Sequence, residues 1–236
     1  MQSTMLISDI PVVVEQKKIK NMYIHVLPPN GDVRVTVPCK TAQDTIRLFV
    51  ISRIAWIKRQ RSAMKKQSRQ TKREYISGET HFLWGNSYRL EVVYSNQKND
   101  VFIKDKRIFL QVRKNSTPEQ RGKIMEEWYR KQLKDAIPDV LEKCVKRTKI
   151  RPDEWCIKNM RTCWGTCNID KKRIWLNLQL AKKTPECLEY VIIHELTHLY
   201  ERKHNDVFQS YMDDFYPNWR TVRQTLNSQM LDWIGC

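Results

Sequence analysis

Residues 191 to 204, reading V-I-I-H-E-L-T-H-L-Y-E-R-K-H, constrain this chain more tightly than any other stretch. Val191, Ile192 and Ile193 precede a pair of histidines, and Leu196 and Leu199 are interleaved with them, so the spacing predicts a helix buried on most sides. Residues four apart on an α-helix share a face. His194 and His198 therefore aim their imidazoles at one point, with Glu195 about a hundred degrees round the axis. Burying two imidazoles and a carboxyl without partners is costly, and a metal ion removes that cost. His204, six residues past His198, supplies a third nitrogen. H-E-x-x-H also arises by chance in long helices, where the histidines are ordinary partnered polar groups. Here burial, spacing and ligand number agree, and three of the five histidines fall within eleven residues, which favours a metal centre. An all-histidine set suits Zn²⁺, and Ni²⁺ or Co²⁺ can occupy it in a purified sample.

The expected architecture is α+β. An N-terminal β-rich region with a long basic helix precedes a mainly helical domain with a short β-hairpin, and the boundary is expected at 115/116. Val12 to Val14, Met22 to Val26 and Val33 to Val37 are rich in β-branched residues and partly alternate, which reads as strands. Pro28-Pro29-Asn30-Gly31-Asp32 is a turn between the last two. Thr41 opens a helix over about 41–70 with Asp44 as the acid of a capping box. Phe82 to Trp84, Tyr88 to Tyr94, Val101 to Ile103 and Ile108 to Val112 form a second set of strands. His25 alternates with apolar neighbours, and His81 lies beside a strand, so both read as packing or surface residues. Thr117-Pro118-Glu119-Gln120 starts a helix running towards Arg147, in which Pro138 predicts a kink or a break. Glu154 to Arg161 and Arg173 to Leu178 read as strands, with Cys163-Trp164-Gly165-Thr166-Cys167 as a tight turn. Thr184-Pro185-Glu186 launches the histidine helix. Two further helices follow, one capped by Asn205 or Asp206 and one over Trp219 to Met230. No sequence repeat or low-complexity segment is visible.

These pieces together resemble the YgjP-like metallopeptidases, a cytoplasmic group of zincin-type metal-dependent hydrolases. The resemblance spans nearly the whole chain: N-G-D-V-R-V-T-V-P, R-T-C-W-G-T-C, W-L-N-L-Q-L, H-E-L-T-H-L with the later histidine, and Y-P-N-W-R. The W-G-T-C segment upstream of the helix is far more specific than H-E-x-x-H. Thr166 stands where the family usually has Ser, and Gln209 follows Phe208 where Trp is common. The catalytic domain also looks like those of SprT-like proteases, some of which act on DNA-bound proteins, an analogy of fold only. The histidine spacing matches metzincins as well, but those require Gly where this chain has Glu201. The helix is therefore expected to continue to about Arg202, with His204 at the start of the next element.

The chemistry expected is hydrolysis of a peptide or amide bond, with His194, His198 and His204 as metal ligands and Glu195 as general base. Trp164 and Gly165 are candidates for the wall of the site, and Tyr200, Asn177 and the Gly165 backbone for the oxyanion donor. Cys163 and Cys167 lack a second Cys or His pair to complete a metal site and read as packing residues. Two rival classes stay open. The same site can attack a non-peptide carbonyl, and Arg53 to Arg73 carries nine Lys or Arg and no acid in a chain of net charge +17. Such a block can neutralise nucleic-acid phosphates or merely form a solvated face. No apolar run approaches a membrane span and no secretion signal is evident, so the expected compartment is the cytoplasm, with reduced cysteines.

Overall fold

A computed structural model describes residues 2–27, 30–66, 73–160 and 163–228. The chain divides into two compact units, 1–69 and 70–236. In the first, β1 (Gln2–Ile7), β2 (Ile10–Lys17), β3 (Tyr23–Leu27) and β4 (Asp32–Pro38) form one sheet in the order β1-β2-β4-β3. Val33, Val35 and Val37 point to one face with Val12 and Val14, the period-two pattern of a half-buried sheet. Ile46, Val50 and Ile57 close that core from α1 (Gln43–Ile51) and α2 (Ile54–Lys66). One long helix over 41–70 is thus replaced by two. Ser52 and Arg53 form a turn between them, the Ser52 hydroxyl donating to the Phe49 carbonyl at 2.8 Å. The capping box at Thr41 is not made either: its hydroxyl donates to the Pro38 carbonyl at 2.8 Å, and Ala42 is the N-cap. The expected turn residues Pro28 and Pro29, and residues 67–72 of the basic stretch, lie outside the described residues.

The second unit opens with β5 (Thr80–Leu83), β6 (Asn86–Tyr94), β7 (Asp100–Lys104) and β8 (Arg107–Val112), in the order β5-β6-β8-β7. Both sheets have antiparallel outer pairs and one central parallel pair, β2 with β4 and β6 with β8. The repetition lies in the topology and not in any visible sequence period. The expected boundary at 115/116 falls inside this unit, because Leu90, Ile108, Leu110 and Val112 share one core with Leu133, Ile137, Leu176, Leu180, Ile192 and Ile193.

Helix α3 (Pro118–Thr148) begins with the capping box expected at Thr117 and Gln120 and ends on Lys149 in the left-handed conformation. It runs unbroken through Pro138. Pro138 and Lys134 are both exposed, so the carbonyl that loses its intrahelical donor faces solvent. A third sheet, ordered β10-β11-β9, follows from β9 (Glu154–Lys158), β10 (Gly165–Asn168) and β11 (Arg173–Asn177). The tight turn expected at 163–167 is corrected here: Gly165–Asn168 is an edge strand, and the reversal comes at 169–172. A 3-10 segment, Leu178–Lys182, leads into α4 (Pro185–Thr197), then α5 (Asp206–Phe215) and α6 (Trp219–Ser228). No described helix is long and apolar enough to cross a membrane.

Candidate metal centre

Helix α4 is buried on nearly all sides, with Val191, Ile192, Ile193, Leu196 and Thr197 all at 3% exposure or less. It ends at Thr197, five residues short of the expected Arg202. The N–H groups of Leu199, Tyr200 and Glu201 bond to the carbonyls of Leu196 and Thr197 at 2.9–3.0 Å, which turns the chain away from the axis. No residue of this turn has a positive φ, so it needs no glycine at Glu201. The turn brings His204 back to the first two histidines. The nitrogens of His194, His198 and His204 lie within 4.8 Å of one another, with the Nε2 atoms of His194 and His204 3.0 Å apart.

Several features fit a metal ion. A tetrahedral ion with bonds of about 2.0–2.1 Å places its ligand nitrogens about 3.3 Å apart, close to the His194–His204 separation. The Nδ1 of His198 lies 3.1 Å from the Glu201 carbonyl; donating its proton there turns the Nε2 lone pair towards the other rings, the usual support of a ligating histidine. The rings have the neutral form that ligation requires. Burial, then the charges of His198, His204 and Arg223, push His194 down to about 3. Burial is also the main cause of the lowering at His198 and His204. Phe208, 2% exposed, packs its ring 5.0, 4.8 and 4.7 Å from those of His194, His198 and His204. The Asn205 side chain caps α5 by accepting from the Phe208 N–H at 3.0 Å, so the same turn that delivers His204 seats this ring.

Glu195 is 4% exposed, and burial pushes its carboxyl up to about 8. It lies against β10 so closely that a Cβ on Gly165 would sit 2.5 Å from its Oε1. Gly165 therefore serves close approach and not turn formation. The two elements adjoin in the lining of a cleft of about 1140 Å³.

With that geometry in hand, the sequence pattern of the YgjP-like metallopeptidase domain matches residues 20–229. The chain belongs to this family. No curated protein matches it. Two solved metallopeptidase zymogens are similar to part of it. Abylysin of Pyrococcus abyssi is 18% identical, over 40% of this chain and 99% of that one, with a TM-score of 0.35. Jannalysin of Methanocaldococcus jannaschii is 20% identical, over 39% and 93%, also with a TM-score of 0.35.

Within this metallopeptidase domain, His194, Glu195, His198, His204, Trp164 and Gly165 all line the cleft. Asn177 and Tyr200 do not. Asn177 is a scaffold: its amide donates to the Met160 and Cys163 carbonyls at 2.9 and 2.7 Å, while its oxygen accepts from the Gln179 N–H at 3.1 Å. It thereby fastens the loop that carries Trp164; Arg161 and Thr162 lie outside the described residues. The Tyr200 hydroxyl donates to the Thr148 carbonyl at 2.7 Å, and its ring stacks on Tyr211. Cys163 and Cys167 line the cleft, and burial together with the Glu195 charge pushes the Cys167 thiol up to about 11. His81, by contrast, is 1% exposed on β5 and does not line this cleft.

Sequence reasoning missed Tyr190, Arg202, Phe208, Trp219 and Arg223, which also line the cleft. Spacing carried a signal for three of them. Tyr190 precedes His194 by four, Phe208 follows His204 by four, and Arg223 follows Trp219 by four, each on a helix or its edge.

Proposed function

We propose that the cleft hydrolyses peptide bonds, with His194, His198 and His204 holding a zinc ion and Glu195 as the general base. The convergence of three neutral imidazoles beside one buried carboxyl carries this reading. When bound, zinc supplies Lewis acidity to the attacking water and the scissile carbonyl. Glu195 takes the proton of that water and returns it to the leaving amine. A dication nearby favours the ionised carboxyl that this step needs, offsetting its burial. Strand β10 is paired only on its β11 side among the described residues. Its free edge offers backbone donors and acceptors to an extended peptide laid along the cleft wall. Metal analysis of the wild type beside His194→Ala, with peptidase assays of the wild type and Glu195→Gln, tests the assignment. The wild type should hold about one zinc, His194→Ala little, and Glu195→Gln should keep the metal and lose activity. Gently purified wild type that lacks metal and refuses added zinc would sink it.

A second reading concerns recruitment. Trp56, 39% exposed, stands on α2 three residues from each of the exposed Arg53 and Arg59, with no acid between positions 45 and 73. Cations around an exposed indole suit single-stranded nucleic acid. Binding to a labelled oligonucleotide that falls steeply with salt, and falls further in Trp56→Ala, supports it; salt-independent binding leaves the charge as solvated surface.

A further inference from the structure

Helix α6 carries two arginines three residues apart, and both guanidinium groups lie over the Trp219 indole, Arg220 at 4.4 Å and Arg223 at 6.0 Å from its centre. Their surroundings differ. Arg220 is bound at both nitrogens by Asp213, which also accepts from the Trp219 indole N–H at 2.8 Å. That triad fixes Trp219, 6% exposed at the start of α6, to Asp213 of α5. Arg223 has no carboxylate within ion-pair distance among the described residues, and it lines the cleft with the histidines. Its charge reaches His194, His204 and Tyr190, disfavouring a proton on either imidazole. Arg202, between His198 and His204 on the exit turn, lines the same cleft and is likewise without a carboxylate partner there. Asp170 and Glu195 are the acids among the described residues lining the cleft.

Among the described residues neither Arg202 nor Arg223 has a carboxylate partner, and the two match the two acids of the lining in number. A dication held by neutral imidazoles then leaves the cleft with an excess of positive charge, which focuses field lines on an incoming anion. We propose that Arg223 is a specificity-determining residue that binds a substrate carboxylate next to the scissile bond, with Arg202 reinforcing the field; this rests on the peptidase reading above. Arginine suits the task because its planar fork meets a carboxylate at two points, and the Trp219 face beneath it limits the orientations to be lost on binding. The carboxylate can be an acidic side chain or the end of the peptide chain.

The test uses the full-length zinc-loaded Glu195→Gln protein, in which peptides are bound and not cut. Three fluorescein-labelled decapeptides are compared by anisotropy. One has two Glu flanking its centre and an amidated end, one has Gln in their place, and one has those Gln with a free carboxyl terminus. One of the two carboxylate-bearing peptides should bind about tenfold tighter than the Gln amide, and which one does so identifies the source. In Glu195→Gln/Arg223→Gln the preference should collapse with zinc content unchanged. In Glu195→Gln/Lys20→Gln, which removes an exposed charge from the other unit, it should persist. Equal affinities for all three peptides, a preference that survives Arg223→Gln, or one that vanishes with Lys20→Gln overturns the proposal. Cleavage of the same peptides by wild type separates the two readings. Arg223-dependent binding without cleavage retires the peptidase reading and keeps the carboxylate site, whereas cleavage indifferent to the carboxylates does the reverse.

Discussion

Two histidine environments in the second unit solve the same problem in opposite ways. His81 has a counter-group: its Nε2 lies 3.2 Å from the Glu79 carboxylate, which also accepts from the Glu74 N–H at 2.9 Å and lies 3.6 Å from the Arg73 guanidinium. Burial pushes His81 down to about 4 against the pull of that carboxylate. Burial works the other way on Glu79, but the hydrogen bonds from His81 and the Glu74 backbone outweigh it and hold the carboxyl down at about 2. A neutral imidazole donating to an ionised carboxylate is nearly complete as it stands. His194, His198 and His204 are also neutral, but among the described residues no carboxylate accepts from any of them, and their nitrogens face one another. Desolvation thus acts at both sites, fully on His81 and partly on the cluster, where His194 and His198 are half-buried and His204 is exposed. Convergence without an anion is what distinguishes the second, and it is the condition a cation relieves.

The contrast breaks most visibly in catalysis. Glu195→Gln is expected to lower kcat/KM about 10²–10⁴-fold while retaining zinc. The matching change at the other histidine site, Glu79→Gln, should leave kcat/KM near wild type. Steady-state assays with metal analysis check both, and a loss at Glu79 comparable to that at Glu195 would erase the distinction.

Gly165→Ala sharpens the same point without touching a titratable group. The new methyl would lie 2.5 Å from Oε1, 2.8 Å from Cγ and 2.9 Å from Cδ of Glu195, so the carboxyl has to move. A displacement of about 1 Å typically costs about 10²-fold in rate, and zinc content should stay constant. Near-normal turnover would mean that the position of this carboxyl does not matter.

Gly165 also shows where sequence reading stops. Beside Trp164 it looks like a turn residue, because the local signal for a turn and for a close backbone approach is the same missing side chain. The reason for the glycine lies on α4, thirty positions along, and only the tertiary structure supplies it. The i, i+4 pair His194–His198 was legible because helical period is a local property. The end of that helix was not, since Thr197 is followed by a turn stabilised by carbonyls of the preceding turn and by the His198 ring, with no glycine or proline to announce it. The strands were legible from alternation, but their order was not. The parallel pairs β2–β4 and β6–β8 join segments separated by a hairpin strand, and nothing local specifies such pairing. Arg223 stayed hidden for the same reason: its neighbours in the cleft lie on α4 and the exit turn.

His81→Phe tests the complete pair directly. It removes one hydrogen bond from the half-buried Glu79 carboxylate, which keeps the Glu74 N–H and Arg73, and the expected cost is about 1 kcal/mol in denaturant unfolding, with zinc content and kcat/KM unchanged. His204→Ala should behave in the opposite sense, losing zinc while costing the metal-free protein little. Loss of zinc in His81→Phe would show that the two environments are coupled.

The smallest effect expected is in pH dependence. The groups facing His81 are Glu79, Arg73, Lys182 and Tyr75. Between its ordinary value of 6.5 and its folded value of about 4, His81 is protonated in the unfolded chain and not in the folded one. The unfolded state then binds more protons, so stability falls as pH drops through that window. Glu79 adds a loss of the same sign lower down, present as stability above 4.5 and lost as pH falls towards 2. Lys182, pushed by burial to about 7, titrates inside the pH range of the comparison and with the same sign, and being present in both proteins compared it largely cancels in their difference. From pH 7.5 to 5.5 the His81 contribution is about 1 kcal/mol. The histidines of the candidate metal centre titrate with the same sign, so the decisive quantity is a difference between two proteins at saturating zinc. Wild type should lose about 1 kcal/mol more than His81→Phe between those pH values. Parallel curves would mean that His81 takes up its proton in the folded state as readily as in the unfolded one, and that the Glu79 carboxylate, not burial, sets its charge.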